Sequence, residues 1–339
     1  MTVRQKNDVL NRKGQEMSDK KNTHIKRNEG MPFDLAYVNK IKVNHSAVLR
    51  RTDSLVKRRT VKKEYQAAWL LKAISCMDLT TLAGDDTPGN VLRLCDKAKQ
   101  PVRQDILDSL GMGSSGLTVG AVCVYHNLVP TAVKTLKGSN IPVAAVSTGF
   151  PAGQIPMEFK LEEIKASVKA GAKEIDIVIS RANVLRGDWK ALYDEVSQFR
   201  KACGEAHMKT ILATGELGNL TNVAKASYIS MMAGSDFIKT STGKEGVNAT
   251  LPVSLVMVRA LRDYYEATGE MIGFKPAGGI QKAKQALEWL ILMKEELDSP
   301  WLQPELFRFG ASSLLADIER QLEHYITGRY SAAYRHPMA

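Results

Sequence analysis

A (β/α)₈ barrel is the architecture this sequence predicts, and three observations predict it. From residue 73 onward, short apolar runs alternate with helical patterns eight times over roughly 260 residues, the size of such a barrel. The runs are continuously apolar, as are strands of a parallel sheet buried under helices. The segment after the first run, Asp78-Leu79-Thr80-Thr81-Leu82, lacks the glycine-rich phosphate turn that a doubly wound open sheet requires there.

Residues 1–30 are polar, charged and nearly free of aromatics, and read as a disordered basic leader. Residues 31–70 read as a helical extension, with a short helix between 33 and 48 and a basic, partly amphipathic helix over 55–71. The barrel takes residues 71–328. Its strands are expected at 73–78, 117–124, 142–147, 174–179, 209–213, 237–240, 272–275 and 306–309. The helices that follow them are expected at 87–99, 130–136, 158–170, 188–206, 221–233, 251–268, 281–297 and 312–327. A short tail, residues 329–339, ends the sequence.

Composition narrows the function classes. With 44% hydrophobic and 24% charged residues, the chain has ordinary globular composition. It has neither an apolar run of the roughly 18 residues a membrane helix needs nor an apolar leader with a cleavage site, so no membrane partner is expected. Cys76, Cys95, Cys123 and Cys203 show no metal-type spacing and read as reduced thiols of a cytoplasmic protein. The net charge of +11 invites a nucleic-acid partner, but residues 1–63 hold 17 Lys/Arg against 6 Asp/Glu, which accounts for the whole excess. The barrel is therefore expected to bind no nucleic acid, and only the leader points weakly to polyanions.

Chemistry concentrates where strands end. Catalytic residues of such barrels sit at the C-terminal ends of the strands and in the loops beyond. The sixth strand ends in Lys239 and the seventh in Lys275, neighbours in a closed barrel. In the fourth, Glu174-Ile175-Asp176-Ile177-Val178-Ile179, period-two alternation puts Asp176 on one face with Glu174 and Val178. A lone lysine is more often a solvated cation. Two close ammonium groups in a dry pocket disfavour each other's charge, and a shift of roughly three units from about 10.4 leaves one amine neutral and nucleophilic near pH 7. A neutral lysine amine attacks a carbonyl to form a Schiff base, and Asp176 is placed to move protons. The loops Thr242-Gly243-Lys244, Gly278-Gly279 and Gly310-Ala311-Ser312-Ser313 offer small residues and a helix start, a pattern suited to phosphate.

With those residues placed, the chain resembles the deoxyribose-phosphate aldolases, class I aldolases, in an animal-type form. The segments that carry the likeness are Met77-Asp78-Leu79-Thr80-Thr81-Leu82, Ala121-Val122-Cys123-Val124-Tyr125, Ser147-Thr148-Gly149-Phe150-Pro151-Ala152-Gly153, the Glu174–Ile179 run, Thr214-Gly215-Glu216-Leu217, Phe237 through Lys244, and Gly273 through Gly279. The resemblance implies reversible cleavage of 2-deoxy-D-ribose 5-phosphate to D-glyceraldehyde 3-phosphate and acetaldehyde. It implies Lys239 as the Schiff-base lysine, Lys275 as the neighbour that lowers its pKa, and Asp176 as the proton carrier. It further implies Gly243, Lys244, Gly278, Gly279, Ser312 and Ser313 at the phosphate, Thr80 and Cys123 at the sugar, and a tail tyrosine, Tyr330 or Tyr334, near the site. No metal or cofactor is implied, since the iminium is the electron sink. Self-association into a homo-oligomer is left open. Two rival readings stand beside this one: a class I aldolase for another phosphorylated aldehyde, and a non-catalytic phosphosugar-binding barrel. Ser180 stands where the resemblance leads one to expect asparagine, close in sequence to Asp176.

Overall fold

The computed structural model describes residues 26–58 and 60–337. Its eight strands are β1 (Met77–Thr80), β2 (Ala121–Val124), β3 (Val143–Val146), β4 (Glu174–Val178), β5 (His207–Ile211), β6 (Phe237–Lys239), β7 (Gly273–Lys275) and β8 (Phe309–Ala311). All neighbouring pairs are parallel, in the order β7-β6-β5-β4-β3-β2-β1-β8. The circle closes between β7 and β8 through the bridges Phe274↔Phe307 and Ala277↔Gly310. The fold is a (β/α)₈ barrel.

Among the described residues three helices precede it: α1 (Leu35–Lys40), α2 (His45–Arg58) and α3 (Lys63–Ser75). Within the barrel follow α4 (Pro88–Lys99), α5 (Gln104–Ser109), α6 (Val129–Thr135), α7 (Met157–Lys169), α8 (Arg181–Leu185), α9 (Trp189–Cys203), α10 (Leu220–Met232), α11 (Leu251–Thr268), α12 (Ala283–Leu297) and α13 (Ser313–Thr327). Local signals fix many ends. Thr87, Asp188, Asn219 and Thr250 cap their helices by accepting a backbone N–H, and Pro lies in the first turn after Thr87 and Thr250.

Four expectations need correcting. Residues 73–76 are not strand: they finish α3, whose Leu70, Leu71, Ala73 and Ile74 are all buried. A helix packed on two sides reads as a short apolar run, which periodicity alone cannot tell from a strand. The single helix expected over 55–71 is two, α2 and α3, separated near residues 60–62. The eighth strand lies three residues later than expected, because Leu306 and Phe307 precede the ladder. The short helices α5 and α8 were not foreseen.

Residues 1–25 of the leader lie outside the described residues, but residues 26–30 are packed and not disordered. Asn28 is buried at the N-terminal end of β6. It donates to the carbonyls of Met231 and Ser235 at 2.7 and 2.9 Å, and its backbone N–H donates to Asp236 at 2.9 Å. Its Oδ1 accepts from the Tyr264 hydroxyl at 3.2 Å. The helical extension lies on the outside of the barrel, with α1 against α10, α2 against α11 and α12, and α3 against α12 and α13.

Candidate active site

Parallel register sorts the strand residues into inward and outward sets, since paired positions face the same way. Val146 pairs with Asp176, Asp176 with Lys209, Ile211 with Lys239, and Lys239 with Lys275. The barrel interior therefore collects Asp176, Lys209, Lys239 and Lys275, joined by Asp78 on β1, Glu174 on β4 and Arg308 just before β8. All seven are buried.

Asp176 is the hub. Its Oδ2 accepts from Lys239 Nζ at 2.8 Å and from Lys275 Nζ at 2.7 Å, and its Oδ1 accepts from Lys209 Nζ at 3.1 Å. Asp78 receives Lys275 Nζ and Arg308 Nη1, each at 2.5 Å. Glu174 receives Arg308 Nη2 at 2.8 Å and also Lys209. Gly310 gives Lys275 its space, because a Cβ there would come within 2.7 Å of Ala277 Cβ and 3.3 Å of Lys275 Cε.

The cluster holds four cations against three carboxylates. Full ionisation would leave one uncompensated positive charge in a dry interior, which is costly. The group best placed to give it up is Lys239. It touches one carboxylate, whereas Lys275 touches two and Lys209 lies near three. Burial lowers the Lys239 pKa below the ordinary lysine value; Asp176 opposes this and the charge of Lys275 adds to it. For Lys275 burial acts in the same sense, but Asp176 and Asp78 outweigh it and the pKa is raised. Lys209 is raised in the same way by Asp176, Glu174 and Asp78. Burial pushes the Asp176 pKa up, yet Lys209, Lys239 and Lys275 together hold it well below the usual carboxylate range. The arrangement presents one amine biased toward neutrality beside an ionised carboxylate.

The remaining predicted residues fall as follows. Thr80 ends β1 in register with Cys123 of β2, its hydroxyl donating to the Asp78 carbonyl at 2.7 Å. Cys123 packs with Ala144 and Val146 beneath Leu82, Tyr125 and Phe150, and burial pushes its thiol up to about 11. Gly278 and Gly279, both at φ +81°, follow β7. Gly278 admits no side chain, since a Cβ would meet Asn248 at 2.7 Å. Among the described residues, the backbone N–H groups of Gly278, Gly279, Ser312 and Ser313 meet no protein acceptor. In the loop after β6 the backbone differs from expectation: the N–H groups of Thr242 and Gly243 already donate to the carboxylate of Glu245. Lys244 is exposed there.

Two expectations fail at this stage. Tyr330 is 65% exposed and stacks on His324 of α13, and Tyr334 is 83% exposed, so neither is buried with the cluster around Asp176. The tail is held on α13 instead, with His336 buried against Glu319 and Glu323. Ser180 does not approach Asp176. Its hydroxyl and N–H donate to Glu195, which also binds the buried Lys160, outside the barrel. Conversely, Asp78, Lys209 and Arg308 were not singled out. The signal was present in period-two alternation, which puts Asp78 with Thr80 and Lys209 with Ile211 on the inner face.

A family model described as DeoC/LacD family aldolase matches residues 72–317. The deoxyribose-phosphate aldolase of Homo sapiens is 64% identical over 314 residues, covering 92% of this chain and 99% of that protein. That of Mus musculus is 63% identical over 312 residues, covering 91% and 98%. Among solved structures, the tetrameric deoxyribose phosphate aldolase from Aeropyrum pernix superimposes with a TM-score of 0.57 at 21% identity, covering 83% of this chain and 99% of that one, a likeness of fold.

Proposed function

The chain belongs to the DeoC/LacD family of aldolases, and from that premise we propose how it cleaves 2-deoxy-D-ribose 5-phosphate reversibly to D-glyceraldehyde 3-phosphate and acetaldehyde. The neutral amine of Lys239 attacks C1 of the open-chain sugar, and loss of water leaves a protonated imine. Removal of the proton from the C3 hydroxyl breaks the C2–C3 bond, and the bonding pair moves into the iminium to give an enamine. Glyceraldehyde 3-phosphate departs. Protonation of the enamine carbon and addition of water then release acetaldehyde and restore the amine. Asp176, ionised and bonded to Lys239, accepts and returns protons during the formation and breakdown of the carbinolamine. Lys275 keeps its proton and holds Asp176 in place.

The observation that carries this reading is the single oxygen of Asp176 shared by the two lysines, with burial prevailing at Lys239 and outweighed at Lys275, which Asp78 also holds. The phosphate is proposed to rest on the open amides of Gly278, Gly279, Ser312 and Ser313 at the start of α13, with the Lys244 side chain beside them. Thr80 and Cys123 line the sugar. No helix among the described residues is long and apolar enough to cross a membrane. Four free, buried cysteines support a working place in the reducing cytoplasm.

Treatment with acetaldehyde and borohydride should leave a reduced adduct on Lys239, located by peptide mass analysis, and Lys239→Met should show none. An adduct on any other lysine, or turnover in Lys239→Met, would overturn the assignment.

A further inference from the structure

The loop after β6 uses its backbone donors differently from the loops after β7 and β8. Glu245 is buried, its side chain 2% exposed. Its carboxylate accepts from the Thr242 N–H at 3.0 and 3.1 Å, from the Gly243 N–H at 3.1 Å and from the Thr242 hydroxyl at 2.8 Å. That hydroxyl in turn accepts from the Lys244 N–H at 3.1 Å. Every backbone N–H from Thr242 to Lys244 is thereby spoken for within the loop.

Among the described residues, one cation faces this carboxylate. Arg181, first residue of α8, has Nη2 3.9 Å from Glu245 and Nε 2.8 Å from Glu216, which follows β5. Its guanidinium also donates to the carbonyls of Pro151 at 3.1 Å and Ala152 at 2.5 Å, in the loop after β3. Itself following β4, Arg181 joins four consecutive loops at the catalytic end of the barrel.

We infer that Glu245 and Arg181 are a positioning pair that sets the shape of the phosphate end of the site, so that the loop after β6 offers the substrate's phosphate only the Lys244 side chain. The inference rests on the reading that the loops after β7 and β8 hold the phosphate. A carboxylate with two amides and a hydroxyl is already satisfied, and its removal takes the acceptor from the buried Thr242 N–H and hydroxyl and from the part-buried Gly243 N–H. The loop would then relax, and Lys244 would lose its fixed distance from the amides of Gly278 and Gly279. Gly243, at φ +87° and with its Cβ position 3.8 Å from the Gly278 backbone, is where that relaxation would reach the neighbouring loop.

The test compares 2-deoxyribose 5-phosphate with unphosphorylated 2-deoxyribose as substrates of the wild type, Glu245→Gln, Glu245→Ala and Arg181→Gln. Glu245→Ala should raise KM for the phosphorylated sugar about tenfold, equivalent to ~1.4 kcal/mol, while kcat/KM for the unphosphorylated sugar stays within about twofold. Glu245→Gln still accepts from the amides and should recover most of that loss. Arg181→Gln should act in the same direction more weakly. If Glu245→Ala does not fold, a phosphate-specific KM rise of about two- to threefold in Glu245→Gln carries the comparison. A lower KM, or tighter competitive inhibition by inorganic phosphate, would mean that the carboxylate competes with phosphate for these amides and would overturn the inference. So would equal losses on both sugars, or no change on either. Borohydride trapping of acetaldehyde, run in parallel, reports on Lys239 alone and keeps a failure of the aldolase reading distinct from a failure of this one.

Discussion

The ends of β6 and β7 carry the same residue in register and treat it in opposite ways. Lys239 and Lys275 are both buried, and both donate to Asp176 Oδ2. Burial alone therefore does not decide which amine is biased toward the neutral form. The difference is Asp78, which reaches Lys275 from β1 and does not reach Lys239. A second carboxylate within hydrogen-bond distance turns a depressed lysine pKa into a raised one. Of the two causes expected from the sequence, a dry pocket and the repulsion between the lysines, burial is the larger at Lys239.

That comparison can be broken most severely at its common partner. Asp176→Asn removes the carboxylate that both lysines share, together with a proton acceptor, and kcat should fall by about 10²–10⁴-fold. A drop of less than tenfold in steady-state cleavage would show that protons move by another route. Next in size is the asymmetry itself. Lys275→Leu takes a positive charge from beside Lys239 and leaves Asp176 freer to stabilise the ammonium, so the Lys239 pKa should rise. The neutral amine is then populated only at higher pH, and the rising limb of the pH profile for acetaldehyde adduct formation should move upward by about one unit. An unmoved or downward-shifted profile would mean the two amines do not sense each other. The smallest effect is expected where the backbone supports Lys275. Gly310→Ala puts a methyl group 2.7 Å from Ala277 Cβ and 3.3 Å from Lys275 Cε, so the neighbouring backbone must shift, which should cost about 1–3 kcal/mol in stability, read as a lower midpoint of urea unfolding. Unchanged stability and activity together would show that Lys275 has slack.

How much of this was legible beforehand depended on what each residue answers to. Lys239, Lys275 and Asp176 lie at strand ends, where alternation and barrel topology fix position within a residue or two, and the structure brings them together. Asp78, Lys209 and Arg308 escaped notice because each looks ordinary in its own stretch of sequence. Their part lies in pairings across the barrel, between residues as far apart in sequence as Asp78 and Arg308, which no local pattern encodes. Ser180 misled for a related reason: adjacency to the β4 motif in sequence does not place a side chain inside, and this one turns outward to Lys160 and Glu195. The same limit applies to α3, whose apolar run was taken for strand until packing on α12 and α13 explained it. In the loop after β6 the glycine and small residues correctly marked an unusual backbone, but only coordinates reveal that Glu245, two positions on, answers its amides.

The count of four cations to three carboxylates also bears on what the barrel does after the first bond forms. In the proposed mechanism, a protonated imine on Lys239 restores the positive charge that the neutral amine gives up, at nearly the same point and beside the same carboxylate. Sugar and proton are in this sense interchangeable guests of one socket. Either can leave it electrically as the other found it, so the barrel wall can stay rigid through a full turnover while the cargo alone changes.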